Sequence, residues 1–61
     1  MTYAVVVPTR AEFALLVAMP GVCQATWEQD NGGRGIVRFR VEHHALAAQK
    51  ALGVLRGIVK E

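Results

Sequence analysis

The sequence has a single cysteine, Cys23, so no disulfide within the chain can staple the fold. It also lacks the donor set of a structural metal. One cysteine and the neighbours His43 and His44 do not make a four-ligand site at any standard zinc spacing. The apolar run FALLVAMPGV, about ten residues, follows Glu12 and is broken by Pro20 and Gly21, and that is too short to cross a bilayer. The N-terminus has no basic region of the kind that opens a secretory signal. In PGVC, Val22 stands where a lipoprotein signal wants a small residue. These absences give the expectation of a cytoplasmic chain with a reduced thiol, no cofactor, no metal and no membrane segment.

What is present is a short, apolar-rich sequence. Its 61 residues allow one small α+β domain over 1–61 with a limited core, so with disulfide and metal set aside, self-association is the expected source of extra stability. A content of 52% hydrophobic and 20% charged residues places it among folding chains rather than disordered ones. The formal charge of +2 is weaker than the footprint of a dedicated nucleic-acid binder.

Along the chain, TYAVVV combines β-branched and aromatic residues up to Pro8 and reads as a strand buried on both faces. Thr9 followed by Glu12 forms a capping box, and Pro8 with Phe13 has the spacing of a hydrophobic staple. The helix that follows places Phe13, Leu16 and Val17 on one face and stops at Pro20 and Gly21 after about three turns. The period then changes to two. CQATWEQ sets Cys23, Ala25 and Trp27 on one face against Gln24, Thr26 and Glu28, and IVRFRV sets Val37, Phe39 and Val41 against Ile36, Arg38 and Arg40. Burying the apolar face of both strands calls for partner numbers that sum to 64 or 66, and in the second register Glu28 lies opposite Arg38. The turn between them, DNGGRG, has the glycine and asparagine chemistry of a hairpin.

From Glu42 onward the favoured reading is one long helix, with Ala48, Ala51, Leu52, Leu55, Ile58 and Val59 as its apolar stripe. The alternative ends that helix at Gly53 and makes 54–60 a fourth strand. Gly53 and Gly57 each cost a helix about 1 kcal/mol relative to alanine.

The order of strand, helix, two strands and helix resembles the ferredoxin-like plait, a three-stranded antiparallel sheet in the order 1-3-2 with both helices on one face. The LLVAMPGV segment with its following hairpin is similar to heavy-metal-associated and amino-acid-binding regulatory modules of that plait. The metal-binding pattern departs at once: that family carries Cys-x-x-Cys before the first helix, where this chain has VPTRAEF. GGRGIVRF resembles the third-strand signature of the RNA recognition motif at Gly33, Gly35, Val37 and Phe39, but Arg34 and Ile36 stand where the stacking aromatics belong. In a 1-3-2 sheet the first strand is an open apolar edge, which predicts a homodimer joined through Tyr3, Val5 and Val7, or through the long helix.

No catalytic constellation can be assembled. Cys23 has no base placed beside it, and His43 and His44, about 100° apart on a helix, chelate poorly. DNGGRG has neither the lysine nor the following helix of a phosphate loop. Gly53-x-x-x-Gly57 would permit close approach of another helix. The expectation is therefore a non-enzymatic protein-interaction or regulatory module, of the size of a regulatory subunit or of a phage- or mobile-element-type inhibitor of a host machine. Its partner-binding face carries Arg34, Arg38, Arg40, Glu28 and Thr26. A second reading gives the same arginines, with Lys50, Arg56 and Lys60, to a nucleic-acid backbone. A third, small-ligand regulation, calls for a pocket that no residue of the sequence identifies.

Overall fold

In the computed structural model, residues 1–29, 33–52 and 58–60 are described. They form β1 (Tyr3–Val7), α1 (Arg10–Val17), β2 (Val22–Glu28), β3 (Arg34–Phe39), α2 (Glu42–Ala51) and β4 (Ile58–Lys60). The strands make one antiparallel sheet in the order β2-β3-β1-β4.

The fourth strand corrects the reading of the C-terminal segment. The long helix stops at Ala51, and Ile58 and Val59 leave the expected helical stripe for β4, which pairs Tyr3 with Lys60, Ala4 with Val59 and Val5 with Ile58. Strand one is therefore interior. It is hydrogen-bonded to β3 on one side and β4 on the other, and Val5 and Val7 are fully buried, so the open edge expected to join two copies through Tyr3, Val5 and Val7 is not there. The physical reason is competition for backbone partners: an apolar edge with unpaired N–H and C=O groups gains more from a strand than two glycines allow a helix to gain. Leu55, Arg56 and the Gly53/Gly57 pair fall outside the described residues.

The core lies on one face of the sheet. Val5, Val7, Val37 and Phe39 point from the two central strands toward Leu16 of α1 and Ala45 and Ala48 of α2, so both helices cover the same side. Small side chains on α2 let its backbone approach the sheet, while Phe39 and Leu16 supply much of the buried volume. Thr9 caps α1 as its spacing predicts, its Oγ1 accepting from the Glu12 N–H at 3.2 Å. The helix is shorter than expected, eight residues, and Val17 is exposed rather than buried, as is its neighbour Leu15.

The hairpin keeps the expected parity but not the expected register. Trp27 sits opposite Gly35 and Glu28 opposite Arg34, which is two to four residues from the predicted pairings. The reason is room for rings. Phe13 packs directly on the Cα of Gly35, Trp27 lies over Gly33, and Phe13 meets Trp27 edge-on with centroids 5.5 Å apart. A side chain at position 35 would occupy the place of the Phe13 ring. Gly33 also has φ of +86°, a conformation open mainly to glycine. At the other end a bulge between Val22 and Gln24 takes Cys23 out of the alternation and puts Val22, not Cys23, opposite Phe39. Val41, expected in the sheet core, is instead the half-exposed residue preceding α2.

This packing has a direct test. Gly35→Val should lower the free energy of unfolding by about 1–3 kcal/mol, because the added methyls displace Phe13 from a filled position. Urea denaturation followed by Trp27 fluorescence measures it, and an unchanged midpoint would show that the ring does not depend on the glycine.

Candidate partner-binding face

Strand parity decides what stands on the side of the sheet away from the helices. Glu28 pairs with Arg34, Thr26 with Ile36, and Gln24 with Arg38 across β2 and β3, and Val6 pairs with Ile36 across β3 and β1. Ala4 follows on β1 between Arg38 and Val59. Thr26, Glu28 and Arg38, which the alternation of the sequence placed together, share this face, and Arg34, expected in the turn, is instead the first residue of β3 and joins them. Arg40 lies just beyond β3 and is exposed.

The sequence missed the middle of the face. Val6 and Ile36 are half-buried partners, Ala4 is buried by its neighbours, and Val59 is 52% exposed, so an apolar strip crosses from β3 to β4 with no described helix over it. Reading β1 as buried on both faces concealed Val6 and Ala4, and reading 58–59 as helix concealed Val59. The available signal was the outward parity of Ile36 beside Arg38.

The rim of the strip is polar. Arg34 Nε donates to Glu28 Oε2 at 3.0 Å, and both side chains remain well exposed. The pair neutralises one arginine of the expected set and draws its guanidinium across to β2. Arg38 is half-buried, and its backbone carbonyl accepts from the Cys23 thiol at 3.4 Å, which ties the bulge to β3.

All four aromatic residues lie elsewhere. Tyr3, Phe13 and Phe39 belong to or pack against the core, and Trp27 turns to the helix side, where the Arg10 guanidinium lies 5.0 Å from its ring centroid. The open face therefore has no ring on which an unstacked base could lie. On the helix side, His43 and His44 rings stand 4.3 Å apart. His44 packs on Gly21, whose φ is +89°, and its Nδ1 is buried without a hydrogen-bond partner among the described residues. Among those residues no three His, Cys, Asp or Glu side chains cluster as metal ligands, and no helix is long and apolar enough to cross a membrane. Asp30, Asn31 and Gly32 of the turn fall outside the described residues.

The chain matches no protein-family model, no curated protein and no solved structure.

Two substitution experiments follow from this geometry. A double-mutant cycle on Glu28→Ala and Arg34→Ala should give a coupling of about 0.2–1 kcal/mol, as exposed cross-strand pairs do, and shrink with added salt. A larger, salt-insensitive coupling would contradict the exposed geometry. His44→Phe should raise stability by about 1 kcal/mol at neutral pH, since it keeps a ring on Gly21 and removes the unpaired nitrogen. Calorimetry showing a lower Tm would mean that His44 has a partner essential to the fold.

Proposed function

We propose that this chain is a non-catalytic protein-interaction module built as a ferredoxin-like plait, binding a protein partner through the uncovered face of its sheet. The element order β-α-β-β-α-β, the strand order β2-β3-β1-β4 and the two helices on one side support the plait. The observation that carries the docking surface is the uncovered strip of Val6, Ile36 and Val59, rimmed by Thr26, the Glu28–Arg34 pair and Arg38, with the exposed Arg40 just beyond the end of β3. An apolar centre within a polar, arginine-bearing rim is the anatomy of a protein interface.

The protein reading is favoured over a nucleic-acid one for two reasons. One arginine of the face is already paired with Glu28, and the face has no aromatic platform. The mild formal charge of +2 agrees. Self-association is the simplest form such docking could take, and the open face replaces β1 as its proposed surface.

Ile36→Glu tests the reading, because it places a charge at the centre of the strip while leaving the buried face untouched. The wild-type chain, immobilised, should retain a protein partner from nuclease-treated host extract at moderate salt, or a second copy of itself, and Ile36→Glu should reduce retention by about tenfold or more. Equal retention by both chains removes the open face as the surface. Binding to oligonucleotides that falls steeply with salt would establish the nucleic-acid reading instead.

A further inference from the structure

On the uncovered face the register sets the side chains in rows across the strands. One row runs Gln24, Arg38, Ala4, Val59 from β2 to β4, and the next runs Thr26, Ile36, Val6. The apolar positions therefore lie on β3, β1 and β4, and two strand spacings make the strip about 10 Å wide. That is the width of one helix. The two rows stand about 7 Å apart along the strands, so the strip accepts side chains from neighbouring turns of such a helix.

The charges around the strip are not balanced. Arg34 and Arg38 stand on β3 and Arg40 is exposed just beyond its end, whereas Glu28 is the one acidic side chain among the described residues of this face. Glu28 already receives Arg34. The cations thus line the β3 side of the strip, and on the β4 side the described position is the apolar Val59. Such a face repels a basic surface and attracts an acidic one.

The same charges disfavour a second copy as the occupant. Face-to-face docking sets three arginines and one glutamate against an identical set. Glu12 and Glu42, the other acidic side chains described, lie on α1 and α2 across the sheet, and each of those helices also carries a cation, Arg10 or Lys50.

We propose, resting on the docking reading above, that the open face takes a single amphipathic helix of another protein. Its apolar stripe lies on Val6, Ile36 and Val59, and its acidic flank lies along β3.

Defined peptides test this. Stapled helices of about five turns share one leucine stripe and carry glutamate, glutamine or lysine on the flank beside it. With the glutamate helix, amide shifts of the isotope-labelled chain should move saturably at Val6, Ile36, Arg38 and Val59 at about millimolar concentration or below. The glutamine helix should bind about three- to tenfold more weakly, and the lysine helix more weakly still. The advantage of glutamate should vanish in Arg40→Glu and shrink with added salt. Equal affinity of the glutamate and glutamine helices overturns the acidic occupant while leaving the docking face standing. A glutamate helix that binds Ile36→Glu as well as wild type removes the face itself. No saturable shift on the face with any helix, a dimer in sedimentation that Ile36→Glu dissociates, or tighter binding to an oligonucleotide or to phosphatidylserine vesicles than to the glutamate helix also overturns the proposal.

Discussion

The pairing of β1 on both of its edges is the constraint on which the rest of this structure depends. Its five residues supply Val5 and Val7 to the core, and its backbone is satisfied by β3 on one side and β4 on the other. In so short a chain, a central strand with both edges filled turns an aggregation-prone apolar segment into the axis of the sheet. The pairing with β4 also adds Val59 to the strip on the open face and sets Ile58 and Lys60 beside α2.

A second constraint is space. With few large residues available, the chain gains close packing by putting rings on glycines: Phe13 on Gly35, Trp27 on Gly33 and His44 on Gly21. The first two contacts set the register of β2 against β3, which in turn places Glu28 beside Arg34. A packing requirement on the covered face thereby decides an ion pair on the exposed one. The two faces are separate in chemistry yet linked through the alternation of the strands.

The sequence made several parts of this legible. Thr9 and Glu12 marked the start of α1, the alternation in the two segments around DNGGRG identified the hairpin, and the same alternation placed Thr26, Glu28 and Arg38 on one side, along with Arg40, which lies just beyond β3. These features are local, since capping and side-chain parity depend on residues within one turn or one strand. Val41 and Val17 were misread as buried because periodicity shows which way a residue points but not whether another element reaches it.

What the sequence determined by itself was the α+β class, the first five elements in order and the polar residues Thr26, Glu28 and Arg38 at the rim of one sheet face, because short-range patterns of capping, turn chemistry and hydrophobic period specify these. Only the tertiary structure decided between helix and strand at 58–60, the hairpin register, and the groove between α2 and β4 that Leu46 and Ile58 line. Each of these turns on a partner far away in the chain: β1's unpaired edge claims β4, and Phe13 claims the space above Gly35. The pattern of residues 54–60 favours a helix over a strand, and the backbone groups waiting on β1 override it at Ile58–Lys60.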